Sequence, residues 1–416
     1  MPTSASLLLS LGFWILTPDS RKGINHAMFS SRTNWDLRSS RLFSLLQRKR
    51  QQCEEIIDLT ESNPTRCHFE YHPHTILKTL STERSLVYEP DPKGLSSARL
   101  AVVDFYRAHG ITIEPECIIL TASTSEGYSF LFRLLCNERE SVLVPKPSYP
   151  LFNDLCRLGD VTSRHYHLAY DGEWQVDLST IERSFSRDTR ALVLVHPNNP
   201  TGSFVKVQER EAISTLARRR HAALIVDEVF GPFAFEGDVR RAPSFAGNGE
   251  VLTFALNGLS KLLGLPQMKL AWIVVSGPPE ERDEAMRRLE MVGDLFLSIG
   301  APVQHALPSL LTDLLPVTQQ IRDRVRSNYQ MLRSECAPSS SVSVLHCEGG
   351  WNAVLRLPQT RSDEEWALDL LQRHNILVHP GNLFDFEQES CLVVSLLPPS
   401  EIVSAGFKKI LTAADT

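Results

Sequence analysis

The chain has 416 residues, of which 42% are apolar and 22% charged, and its formal charge is −6. That length allows roughly two to three folding units. The composition is that of a soluble globular protein, and the slight acidity excludes a general attraction to nucleic acid or an anionic membrane. Eight cysteines lie at 53, 67, 117, 136, 156, 336, 347 and 391 without a CxxC pair. This excludes a zinc ribbon and suits reduced, mostly buried thiols in a cytoplasmic protein rather than a disulfide framework.

The first feature in chain order is the mostly apolar run Leu7–Leu16. It is too short to cross a bilayer, and it has neither a positive charge before it nor a small-residue cleavage site after it. Residues 1–27 are therefore expected to form a disordered extension; an arm packing on a partner subunit is the alternative. Met28 opens a more ordinary polar stretch. Arg48, Lys49 and Arg50, followed by Glu54 and Glu55, read as a solvated helix face. Residues 28–69 are expected to form an arm that crosses over to the C-terminal part.

From residue 70 to 285 the pattern predicts a large α/β domain. Short apolar runs bounded by turn residues give strands at Ile118–Thr121, Ser141–Val144, Val161–His167, Ala191–His196, Ala222–Asp227, Val251–Leu256 and Leu270–Val275. Helical stretches such as Val207–Arg219 lie between them. Alternation of this kind predicts a mostly parallel, seven-stranded sheet covered by helices on both faces. Ligands in such sheets lie beyond the carboxyl ends of the strands. Residues 286–416 change texture, with long helical patterns and then short strands near 342–346, 352–357 and 392–396. This predicts a smaller α+β domain.

Polar residues gather just after several of those strands. Thr121-Ala-Ser-Thr-Ser-Glu126 precedes a helical stretch; its hydroxyls and backbone N–H groups suit a phosphate, and equally suit ordinary N-capping. Tyr149 follows the next strand, as an aromatic face for a ligand or as a turn aromatic. Asn199 lies in His196-Pro-Asn-Asn-Pro-Thr-Gly202, a sharp turn at the sheet edge. Asp227 ends an apolar strand, where a carboxylate is costly without a partner. Lys261 follows Ser260 among Leu259, Leu262, Leu263 and Leu265, a setting that lowers an amine's pKa and favours Schiff-base chemistry. Lys269 adds a second positive charge. No single feature is specific, but in this order they match what pyridoxal phosphate requires: a lysine, a carboxylate for the ring nitrogen, a stacking ring, a donor to the ring oxygen and a phosphate cradle.

The chain resembles fold-type I pyridoxal-phosphate enzymes of the class I/II aminotransferase family, from about Asp58 to the C-terminus. The combination of Asn-Pro-Thr-Gly at 199–202, Asp227-Glu228 and Ser260-Lys261 carries the resemblance. It implies the three-layer transferase fold. It also implies that Lys261 carries the cofactor, Asp227 pairs with the ring nitrogen, Asn199 binds the ring oxygen and Tyr149 stacks on the ring. Ser123, Thr124, Ser125, Ser260 and Lys269 would hold the phosphate. Tyr88 would reach the phosphate of a neighbouring subunit, which implies a homodimer with shared sites. Asn63 would border the substrate.

Four positions depart from the family pattern. Phe230 replaces a tyrosine that donates to the ring oxygen, Gly258 replaces a serine, and Lys269 stands where arginine is usual. Val393 falls where an arginine grips the substrate carboxylate, and no arginine follows Arg373. Arg66 and Arg32 are the candidate substitutes. The leading function is transfer of an amino group from an amino acid or amine to a keto acid or aldehyde. A lyase or synthase working by β- or γ-elimination is the alternative. A pyridoxal-phosphate-binding transcription regulator is remote, since fewer than 60 residues precede the match and no helix-turn-helix pattern occurs among them.

Overall fold

The computed structural model describes residues 28–35, 38–337, 339–387 and 390–415; the extension expected over 1–27 lies outside them. The first regular helix is α1, Arg41–Gln51, capped by Ser40, whose Oγ accepts the Phe43 N–H at 3.1 Å. Leu42, Leu45 and Leu46 give it one apolar face. After it come β1 (Ile57–Asp58), α2 (Pro73–Leu80) and α3 (Ser96–Ala108).

The central sheet is built from β2 (Ile118–Thr121), α4 (Thr124–Leu135), β3 (Ser141–Lys146), α5 (Phe152–Leu158), β4 (Thr162–Tyr170), β5 (Trp174–Val176), α6 (Leu178–Ser184), β6 (Thr189–Val195), α7 (Val207–Arg220), β7 (Ala223–Asp227), β8 (Thr253–Gly258), α8 (Leu259–Leu262) and β9 (Ala271–Ser276). The strand order is β2-β9-β8-β7-β6-β3-β4-β5. All seven expected strands form, with ends moved by a few residues. The eighth, β5, pairs antiparallel at the edge of β4; at three residues it is too short to carry a period of its own. β4, β3, β6, β7 and β8 run parallel, and β9 is antiparallel to both its neighbours. Every residue of β2 and β7 is buried, as a sheet covered on both faces demands.

The textural change near residue 285 is not a packing boundary. It falls inside α9 (Pro279–Asp294), which buries Ala285, Met286 and Leu289 with the central sheet. The next helix, α10 (Ala301–Asp313), packs on α2 and α3. Packing changes sides at α11 (Leu315–Glu335), whose Val317, Ile321, Val325 and Leu332 enter a different core. That core is completed by β10 (Ser343–Val344), β11 (Asn352–Arg356), α12 (Asp363–His374), β12 (Ile376–Leu377), β13 (His379–Pro380), β14 (Cys391–Ser395) and α13 (Ser400–Ala414). The small sheet has the order β10-β11-β14-β13 and is antiparallel throughout. At the start of the chain, β1 pairs parallel with β12 and α1 packs on α12.

The two cores meet just beyond β7. Val229, Phe230, Phe233 and Phe235 leave the large sheet and bury themselves with Trp351 and Leu355 in the second core. Each buried aromatic ring of this kind is worth about 1.5–3 kcal/mol, so the seam is held firmly. Among the described residues, no helix is long and apolar enough to cross a membrane, and no cluster of three or more His, Cys, Asp or Glu is arranged for a metal.

Candidate active site

The register levels three strand ends against one another. Val195 pairs with Asp227, and Asp227 with Leu256. Asn199, Asp227 and Lys261 therefore leave the sheet close together at its carboxyl edge, as expected for this topology. Asp227 is 8% exposed. Its Oδ1 accepts the Val229 N–H at 3.1 Å, and its Oδ2 accepts the Tyr128 hydroxyl at 3.2 Å. Burial pushes its carboxyl up to about 6, against the opposing pull of those two donors and of Lys261.

Lys261 lies on the short helix α8. Its Nζ sits 4.9 Å from the centre of the Trp351 ring and 5.6 Å from that of Phe230. The two rings meet edge-on, 5.4 Å apart. Burial lowers the amine to about 8, with Asp227 pulling the other way. More neutral, nucleophilic amine is thus present near neutral pH than for an ordinary lysine.

At the head of α4, Ser123 is the N-cap: its Oγ accepts the Glu126 N–H at 3.1 Å. Glu126 Oε2 in turn accepts the Ala122 N–H at 2.6 Å and the Ser298 hydroxyl at 2.7 Å. Capping, one of two readings open from the sequence, is therefore real at Ser123. It leaves the first-turn N–H groups of Thr124 and Ser125 without helical acceptors. Tyr149 is tied to this turn by a hydrogen bond with Ser125, and its ring meets Phe152 edge-on at 5.7 Å. Burial pushes its phenol up to about 12, so it stays protonated.

Asn199 is fixed from the small domain. Asn352 Nδ2 donates to its Oδ1 at 2.8 Å, which turns the Asn199 amide nitrogen the other way. The turn beneath it needs Gly202: its φ is +71°, and a Cβ there would collide with Cys347 and the Gly349 carbonyl. Glu348 pins the same small-domain loop to the large domain. Its carboxylate accepts Lys206 Nζ at 2.5 Å, Arg241 Nε at 3.0 Å and the Phe204 N–H at 3.1 Å. Trp351 and Asn352 are thus held over Lys261 and Asn199.

Other expected residues lie further out. Ser260 is partly buried beside Lys261 on α8. Lys269 is exposed, at φ +50°, with no hydrogen-bond or ion-pair partner among the described residues. Asn63 uses its side-chain oxygen locally, accepting from the Thr65 N–H at 3.1 Å and the Thr65 hydroxyl at 2.7 Å. Tyr88 is 78% exposed, on the rim of a cleft with Pro92, Phe130 and Leu297. Gly258 is explained by packing: a Cβ would stand 2.7 Å from Ala271 Cβ. Arg66 and Arg32 are exposed, the latter bonding to Ser30, so the structure gives neither a hold on the seam. Val393 is fully buried among Trp174, Leu345, Val354 and Phe384.

Sequence reasoning missed Tyr128, Trp351, Asn352 and Glu348. The last three lie in Glu348-Gly-Gly-Trp-Asn352, whose paired glycines mark a turn leading into β11. Tyr128 carried no signal beyond being an aromatic in an apolar helix.

These donors fit pyridoxal phosphate on observations of the structure itself. A buried carboxylate with no ion-pair partner among the described residues suits a protonated ring nitrogen, an amine of lowered pKa suits an aldehyde, and a capped helix start with spare N–H groups suits a phosphate. The comparisons agree. The family pattern "Aminotransferase class I and II" matches residues 54–405. The glutamate–pyruvate aminotransferase of Haemophilus influenzae is 26% identical over 368 residues, covering 84% of this chain and 88% of its own. The alanine aminotransferase of Mycobacterium tuberculosis is 27% identical over 370 residues, covering 85% and 84%. In fold, the chain is similar to an aminotransferase from Escherichia coli (TM-score 0.82, 24% identity, 93% and 98% covered). It is also similar to the alanine aminotransferase of Pyrococcus furiosus (TM-score 0.82, 21% identity, 91% and 100% covered). The chain belongs to the class I and II aminotransferases, enzymes that depend on pyridoxal phosphate.

Proposed function

We propose that this aminotransferase carries its cofactor on Lys261 and works at the seam between the two cores. The carrying observation is the level placement of Asn199, Asp227 and Lys261 at the ends of β6, β7 and β8. Bound pyridoxal phosphate supplies an aldehyde that condenses with amines and a ring that spreads the negative charge left on the substrate carbon. Everything else falls to the chain. Asp227 holds the ring nitrogen protonated, Asn199 donates to the ring oxygen, and Tyr149 covers the ring. Ser123, Thr124, Ser125 and Ser260, with Lys269 at longer range, hold the phosphate. Lys261 Nζ takes the proton from the substrate's α-carbon, and its lowered pKa makes it a competent base near neutral pH. Trp351 and Phe230 flank the amine with apolar ring surface.

The substrates are an amino acid or amine and a keto acid or aldehyde; alanine and glutamate stand first as donors because the relatives' names point to them. Asn63 lines the substrate side. The small domain begins at α11, with residues 28–69 packed on it. The exposed Tyr88 supports a homodimer in which it serves the neighbouring site. Eight unpaired cysteines support a cytoplasmic location.

The test is the visible spectrum of the purified protein with pyridoxal phosphate. Wild type should be yellow and Lys261→Ala colourless. Bleaching by one amino donor, reversed by a keto acid, is the expected result. Ammonia release without bleaching would point to elimination instead, and a wild type that takes up no cofactor would overturn the assignment.

A further inference from the structure

Asp227 has a second fixed partner that the motifs did not reveal. Tyr128 lies on α4, one turn beyond Thr124, so the two residues share a face of the helix. The first turn of that helix carries the candidate phosphate cradle, and the second reaches the carboxylate. Gly127 allows this approach: a Cβ there would stand 2.8 Å from Leu256 Cδ2, on the strand beside β7. The Tyr128 ring is 1% exposed and locked edge-on against Phe152 at 5.3 Å, with Phe132 at 6.0 Å. Its hydroxyl donates to Asp227 Oδ2, 3.2 Å away. Burial and the neighbouring carboxylate push the phenol well above its ordinary range, so it is always a donor.

Without that donor, Oδ2 would face a buried environment with one protein hydrogen bond fewer, and a buried carboxylate in that position takes up a proton. We propose that Tyr128 is a positioning residue that keeps Asp227 ionised and aimed at the cofactor's ring nitrogen, so that one helix sets both the phosphate end and the nitrogen end of the cofactor. This rests on the reading of Asp227 given above. Phe230, which lacks the hydroxyl usual on the ring-oxygen side, makes the nitrogen side the more important handle.

The test uses the full-length protein and two probes, pyridoxal phosphate and 1-deazapyridoxal phosphate, whose ring has carbon in place of the nitrogen. Affinities are measured by spectrophotometric titration of wild type, Tyr128→Phe and Asp227→Asn. Tyr→Phe conserves volume in a packed site, and unfolding midpoints of the cofactor-free proteins check that the fold is intact. Wild type should prefer the natural cofactor. Tyr128→Phe should lose about tenfold of that preference, the size of one hydrogen bond to a charged group, while binding the deaza analogue as wild type does. Asp227→Asn should lose still more. Equal weakening of both probes would mean a merely structural tyrosine and overturn the proposal, as would an unchanged preference in Tyr128→Phe. If wild type itself shows no preference, the assignment of Asp227 to the ring nitrogen fails, and the role of Tyr128 fails with it.

Discussion

The carboxyl edge of the large sheet and the small-domain loop facing it meet over the same lysine, yet they are built on different principles. On the sheet side stand charged and titratable groups at strand ends, Asp227 and Lys261, whose positions follow from parallel register. On the facing side stand Trp351 and Asn352, an apolar ring and a neutral donor, on a loop held in place by the buried Glu348 network, with Asn352 donating to Asn199. Groups that activate a cofactor tolerate little displacement, and a sheet supplies rigid positions for them. Groups that select a substrate can change with a loop. Val393, where the resemblance leads one to expect an arginine, lies on β14 beside the strand that carries Asn352, and not at the carboxyl edge of the large sheet.

The sharpest way to break this comparison is to put the charge back. Val393 is fully buried in an apolar cluster and faces its β11 partner Val354. An arginine there would be an uncompensated buried charge, which typically costs about 3–5 kcal/mol. Val393→Arg should lower the unfolding midpoint by many degrees and give no gain in kcat/KM for α-amino acids over amines lacking a carboxylate. A stable variant that turned selective for carboxylates would show that the pocket still expects its arginine, and the facing side would then be a damaged copy rather than a different design.

A smaller effect is expected where the two sides exchange a hydrogen bond at Asn199. Asn352 contributes a single hydrogen bond to Asn199. A bond of that kind is worth about 1 kcal/mol, so Asn352→Ala should reduce kcat/KM roughly fivefold. In Asn199→Ala the same second substitution should cost nothing more, because the bond has already gone. Additive losses in that double-mutant cycle would mean that Asn352 acts on the substrate itself rather than through Asn199.

The same division governs what the sequence made legible. Asn199, Asp227 and Lys261 could be placed because each follows a buried strand whose apolar run and turn residues are local signals. The helices and strands of the large domain were readable for the same reason, apart from three-residue β5. The domain boundary was not: α9 and α10 look like the helices after them and are assigned only by what they pack on. Tyr128, Trp351 and Glu348 escaped because their partners lie 99 residues away at Asp227, 90 at Lys261 and 142 at Lys206. Nothing local in a chain encodes a contact of that separation. Lys269 was legible by the same local signals as a second positive charge, and its side chain is exposed.

The smallest effect concerns a departure on the sheet side that lies next to the lysine. Phe230 is three residues beyond Asp227, and its buried ring packs against Trp351 and near Lys261. A tyrosine there would place a phenol within the same aromatic group. If its hydroxyl reaches the ring oxygen of the cofactor, it favours the form in which that oxygen is more negative, which is the deprotonated one. A hydrogen bond of ~1 kcal/mol corresponds to roughly 0.7 of a pH unit. Phe230→Tyr should therefore lower the pH at which the visible absorbance of the loaded enzyme changes, and wild type should have the higher midpoint. A midpoint that did not move would place position 230 out of reach of the ring oxygen. Its phenylalanine would then belong to the apolar wall of the facing side, and the boundary between the reacting and selecting sides would run between Asp227 and Phe230.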